Sequence, residues 1–107
     1  MFKITLTPTY RVKVIVETPN MNGKMDKSDF MAEFKRCDLS QIDELRNIAQ
    51  RDVVREVLTG WEGLIDEDGH AVPFNPATLE AVLSIPQAMI ALIEAFWESV
   101  HKAKQKN

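Results

Sequence analysis

Three acids and a histidine crowd one glycine in the stretch 60–74, GWEGLIDEDGHAVPF, so metal chemistry would be sought here first. A calcium loop of the helix-loop-helix type places oxygen ligands at its first, third and fifth positions, glycine at the sixth and a bidentate glutamate at the twelfth. With Gly69 at the sixth position, Asp66 and Asp68 fall at the third and fifth, but Leu64 stands at the first and Asn75 at the twelfth. Two anchoring ligands are missing, and the stretch reads as a polar turn in which Asp and Gly supply backbone freedom between the apolar shoulders Ile65 and Val72. His70 and His101 are the only histidines and lie far apart, with neither in an HExxH or other closely spaced ligand pair, so no metal site is expected.

Nucleophilic and nucleotide chemistry fare no better. Cys37 is the only cysteine; it has no CxxC partner and no adjacent base, and reads as a small, half-buried strand residue. GxSxG, GxGxxG and the phosphate-loop glycine pattern are absent. The carboxylate pairs Asp43 with Glu44, and Glu94 with Glu98, fall at polar positions of helical segments, as a solvated face requires. The expectation is a protein that is not an enzyme and carries no catalytic residue, no cofactor and no metal.

The elements that must position these residues follow from periodicity. Val12, Val14 and Val16 alternate with Arg11, Lys13, Ile15 and Glu17, and Phe30, Ala32 and Phe34 alternate with Met31, Glu33 and Lys35. The two runs, 11–17 and 28–36, flank a loop at 18–24, which predicts a β-hairpin with a loose tip. Phe2 to Leu6 could add a third short strand before Pro8. After Asp38 the period becomes helical: Ser40 followed by Asp43 and Glu44 resembles an N-terminal cap, and Ile42, Leu45, Ile48 and Ala49 repeat at three and four. The pattern runs on to a stop at Gly60, with Asp52 able to cap a second helix. Asn75-Pro76 predicts a short helix at 77–83, and Ser84-Ile85-Pro86 launches a longer one from Gln87 to about Lys104.

The fold class is therefore α+β: an N-terminal antiparallel β-hairpin region at 1–37, followed by a helical region at 38–107 with about four α-helices, in a single domain. At 107 residues, 45% hydrophobic and 27% charged, the composition suits one modest core. A net charge of −3 offers no general attraction to nucleic acid; Lys102, Lys104 and Lys106 suit a helix C-terminus instead. No membrane span is expected, and a lone cysteine without an apolar leader suits an intracellular protein. The last helix carries more apolar residues than one small core needs. Met89, Ile93, Phe96, Trp97 and Val100 are the candidate partner-binding residues, on a stripe that suits a central core helix and an interface alike. Trp61 is open in the same way, as core anchor or as the wall of a groove.

Over nearly its whole length, and most specifically in VLTGWEGLIDEDGHAVPFNP at 57–76, the chain resembles the small tail assembly chaperones of long-tailed bacteriophages and prophages. The matching features are Trp61 after a glycine, the acidic turn Asp66 to Gly69, and Val72 to Phe74. The resemblance implies a non-enzymatic role: binding the tape measure protein, assisting tail tube assembly in the cytoplasm of the bacterial host, and leaving before the virion is mature. It also implies a homo-oligomer and, in many relatives, a longer form made by frameshifting near the C-terminus. A structural minor tail protein retained in the virion, or a small prophage regulatory or interaction protein, are the competing readings.

Overall fold

A computed structural model describes residues 1–101; the expected end of the last helix and the basic residues beyond it lie outside the described residues. The valine alternation produces strand β1, Thr9–Pro19, which pairs antiparallel with β2, Met25–Lys35, from Thr9 opposite Lys35 to Pro19 opposite Met25. Strand β1 outruns its expected segment at both ends, while β2 starts three residues earlier than expected and stops one residue short of Arg36. The tip is not loose: the Asn20 side-chain oxygen accepts the amides of Asn22 and Lys24, the Asn20 amide donates to the Lys24 carbonyl at 2.8 Å, and Gly23 takes the left-handed φ of 76° that the turn needs.

One face of this ribbon is apolar. Val14, Phe30, Ala32 and Phe34 are buried on it. The other face is laced with exposed pairs, Lys13 to Asp29 at 3.7 Å and Lys27 to Glu17 at 3.9 Å, which add little individually in high dielectric.

The helical half opens with α1, Leu39–Leu45, capped by Asp38 rather than the expected Ser40: the Asp38 carboxylate accepts the Gln41 amide while the Gln41 side chain accepts the Asp38 amide. Helix α2, Gln50–Val57, starts after Ala49 with no side-chain cap, so Asp52 sits inside its first turn instead of capping it. The expected run to Gly60 stops early. Leu58–Glu62 is a strand, β3, which completes a sheet of order β1-β2-β3 by pairing antiparallel with β2. Tertiary pairing overrides the helical period here: Leu58 is buried, Thr59 and Trp61 favour a pleated surface, and a register shift between Glu33 and Phe34 admits the turn out of α2. The third strand is thus at 58–62, and residues 2–6 are not part of the sheet.

Asn75 caps α3, Pro76–Leu83, as expected, with the Thr78 hydroxyl completing the reciprocal pair. After Ser84 the chain bends by 100° into α4, Pro86–His101. Among the described residues no single helix is long and apolar enough to cross a membrane. Helix α4 crosses the apolar face of the ribbon antiparallel to β1. Phe96 meets Phe34 edge-on at 5.4 Å between ring centroids, and the Tyr10 hydroxyl reaches the Ser99 hydroxyl at 2.7 Å. Val53, Val54 and Val57 of α2 and Leu92 of α4 close the core, all fully buried.

Across the helical layer, the Arg55 guanidinium grips Glu80 of α3 through two bonds of 2.7 Å and Asp52 through a third. This holds the Glu80 carboxyl below its ordinary value of 4.5. Because the folded value lies below the unfolded one, the pair's stabilisation is fully present above about pH 4.5 and is lost as the pH falls through the folded value. Thermal melts from about pH 6 to about pH 3 should show a larger drop in midpoint for the native chain than for Arg55→Met. Equal drops would show that the clamp contributes nothing.

Phe96→Ala should cost about 3–5 kcal/mol in urea unfolding, as expected for emptying a closed aromatic contact. A cost below about 1 kcal/mol would mean that α4 is not seated as described.

Candidate functional site

The acidic turn is built around one carboxylate. Asp66 Oδ1 accepts the amides of Asp68 and His70 at 2.9 Å each, the Asp66 amide donates to the His70 carbonyl, and Ile65 bridges to Ala71. Gly63 and Gly69 take φ of 85° and 82° at its entrance and apex. Asp66, Asp68 and His70 offer ligand atoms within 4.8 Å of one another, but all three are exposed and one oxygen is already committed to two backbone amides. The group is explained by the turn it shapes.

Trp61, left open between core and groove, is partly buried. Its ring meets Phe74 edge-on at 4.8 Å, and its Nε1 donates to the Val72 carbonyl at 2.8 Å. The segment 57–76 thus folds back on itself, joining β3 to the start of α3.

The other candidates for chemistry are separated. Cys37 is partly buried beyond β2; desolvation pushes its thiol up, against the opposing pull of the Lys35 ammonium, so it stays protonated near neutral pH. His101 stacks on Trp97 at 5.8 Å and touches Arg46, well away in sequence from His70. Asp43, Glu44, Glu94 and Glu98 are all exposed, as solvated helix faces require.

The candidate partner-binding residues split into two groups. Ile93 and Phe96 are 7% and 0% exposed, wrapped by the sheet and α2, so in this fold neither can face a partner. The apolar stripe of α4 is chiefly a core stripe, wide because the helix is covered by the ribbon on one side and by α2 and α3 on others. Met89, Trp97 and Val100 are only partly buried and keep surface. Of these, Trp97 lines a recess on the helical side.

That recess, of about 260 Å³, is lined by Leu45, Arg46, Ile48, Gln50, Trp97 and His101. It sits where the end of α1, the turn at 46–49 and the start of α2 meet the end of α4. Trp97 Nε1 reaches the Gln50 side chain at 3.3 Å, and the Arg46 guanidinium lies 5.6 Å from the Trp97 ring centroid, a cation on an aromatic face. Leu45 and Ile48 also line a neighbouring recess of about 300 Å³ with Lys35, Cys37, Gln41, Glu44 and Glu56, so the two recesses meet at a small apolar patch set among polar and charged side chains. Ile48 is 46% exposed among the described residues. Sequence reasoning placed Leu45 and Ile48 in a helical stripe and missed this role. The signal lay in Arg46-Asn47-Ile48-Ala49, where α1 ends and an isoleucine is stranded in a turn.

The family model of the YdaY prophage protein matches residues 13–107, from within β1 to the end of the chain. No curated protein and no solved structure matches the chain.

The turn geometry makes a direct test of the 57–76 segment. Trp61→Phe keeps the ring on Phe74 but leaves the Val72 carbonyl without its donor, and should lower unfolding stability by about 1–2 kcal/mol in urea titration. An unchanged midpoint would show that water replaces the indole at no cost.

Proposed function

Because the chain belongs to the YdaY family of prophage proteins, we propose that it is a non-enzymatic tail assembly chaperone that binds a tape measure protein and assists tail tube assembly. The reading places it in the cytoplasm of the bacterial host and outside the mature virion. The observation that carries it is the apolar patch of Ile48 and Trp97, exposed over the buried Leu45 on a small protein whose other candidate chemistry resolves into turns and solvated faces. The likeness of 57–76 to tail assembly chaperones gives the patch a client.

The physics suits a long helical client. Such a chain exposes apolar stripes that must be covered weakly and repeatedly until the tube closes around it, and helix-in-groove contacts with aliphatic and aromatic anchors do this. Arg46 at the rim favours segments whose apolar residues are interleaved with acids. Weak sites on several copies along one client would add through multivalency, so no single recess needs high affinity. The same logic leaves room for a frameshifted longer form, in which one end holds the client and the added segment contacts another tail component.

Co-expression with the tape measure protein of the same prophage tests this. Ile48→Glu places a charge on the exposed patch without disturbing the core, and should reduce co-purification about tenfold or more while leaving the melting midpoint within a few degrees. Undiminished capture by that variant would rule out this face. Stoichiometric presence of the protein in purified virions would favour the structural tail protein instead.

A further inference from the structure

The period-two pattern of β1 does not begin where β1 begins. Phe2, Ile4 and Leu6 share the even positions of Tyr10, Val12, Val14 and Val16, while Lys3, Thr5, Thr7 and Thr9 share the odd positions of Arg11, Lys13 and Glu17. The strand signature thus runs unbroken from residue 2 to residue 16, interrupted in type only by Pro8. Yet residues 2–6 form no strand, and Phe2, Ile4 and Leu6 are 79%, 88% and 49% exposed.

The reason is that these residues have no partner. β2 ends at Lys35, and the chain then turns into α1. The arm cannot fold back on β1 either, because its root is tied in line with the strand: the Arg36 amide donates to the Pro8 carbonyl at 2.8 Å, and Arg36 Nε donates to the Thr7 carbonyl at 2.7 Å.

β1 has the complementary deficit. In an antiparallel pair, alternate residues turn their amide and carbonyl toward the partner strand. The bonds Arg36 to Pro8 and Asn20 to Lys24 put the even residues of β1 in that role, so the backbone groups of Arg11, Lys13, Ile15 and Glu17 point away from β2. Among the described residues, β1 has no second strand neighbour and no other hydrogen bond reaches these groups. Helix α4 packs on β1, and two concavities border the strand. One, of about 500 Å³, includes Ile15, Glu17, Ile90 and Glu94 together with Met25 and Lys27 of β2; the other, of about 470 Å³, includes Leu6, Tyr10, Val12 and Val100 together with Arg36 and Ile42.

We infer that the occupant of this edge is the N-terminal arm of a second copy, the two copies exchanging arms about a two-fold axis. With the arm continuing the line of β1, both strands carry their outward backbone groups at odd positions. Antiparallel pairing in which Lys3 faces Glu17 of the other copy then also sets Thr5 against Ile15, Thr7 against Lys13 and Thr9 against Arg11. On the opposite face the same register sets Ile4 against Val16 and Leu6 against Val14, apolar against apolar, on the side that α4 covers. The one charge pairing of the arm, Lys3 with Glu17, is attractive; Lys27 shares that carboxylate at 3.9 Å, and Glu94 beside the same concavity supplies a second one. Pro8 does not obstruct the ladder, because its missing amide hydrogen would point toward β2. At about 3.4 Å per residue the five-residue arm spans about 17 Å, within the length of the free edge. The arrangement is isologous, so one contact made twice closes the dimer. It lies on a different face from the recess around Trp97, so it does not depend on the client reading.

Sedimentation velocity of the full chain over a concentration series tests it, with two variants that leave the β1–β2 backbone ladder intact, one of them giving up only the exposed Lys13–Asp29 pair. Ile4→Asp alters a residue exposed in the monomer, and Lys13→Pro removes one outward amide at an edge that tolerates proline. Both should weaken self-association about tenfold or more with an unchanged far-ultraviolet circular dichroism spectrum. Zero-length carbodiimide coupling of a mixture of isotopically light and heavy chains should join Lys3 of one copy to Glu17 of another. A native chain that stays monomeric, or self-association that survives either variant, would overturn the proposal. Tape measure capture measured on the same variants reads out separately, so failure of the arm exchange and failure of the client reading are distinguishable.

Discussion

Everything in this molecule is arranged around one contact, the edge-on packing of Phe96 against Phe34. It fixes a sixteen-residue helix, α4, across an antiparallel ribbon that has no other broad cover on that face. An isolated two-stranded ribbon is marginal in water, and a helix of this composition would not stay dispersed by itself. Each supplies the surface the other lacks. The remaining elements then fall into place as walls: α2 closes one side with three fully buried valines, α3 is bent back at Ser84, and β3 widens the sheet just enough to anchor Trp61.

This division of labour explains why so much of the chain's chemistry-bearing vocabulary turns out to be architectural. A carboxylate that organises a turn, an asparagine that organises another, and an aspartate and an asparagine that cap helices use the same atoms that could hold ions or protons. In a domain this small, few polar groups are spare once the backbone has been satisfied. What is left over for recognition is apolar and lies at the margins, where the elements stop short of covering one another.

The hairpin, the cap at Asn75, the turn at 66–69 and the α+β class were legible because each rests on local pattern: alternation, an Asn-Pro pair, Asp and Gly at fixed offsets. The strand at 58–62 was not, because Val53, Val54, Val57 and Leu58 repeat helically and only the free edge of β2 decides that Leu58 leaves the helix. The cap at Asp38 was misplaced by two residues since Asp38 and Ser40 are both good caps, and the deciding partner was Gln41, not an acid. The interface reading of Ile93 and Phe96 failed for a similar reason. A wide apolar stripe reports how many neighbours a helix has, not whether those neighbours belong to the same chain. Trp97 kept its surface, and the residues beside it, Arg46 and Ile48, carried a signal visible only after the turn between α1 and α2 had been located.

The ribbon's own proportions carry a last consequence. Val14 and Phe30 are the outermost buried pair; past them Val16 and Thr18 of β1 are only half-buried, and β2 is exposed from Met25 to Asp29. Opening free energy should therefore fall steeply from the Tyr10 end to the Asn20 end, so that the tip frays and re-forms many times while the base stays shut. A part of this kind samples bonded and open forms while the domain itself remains folded.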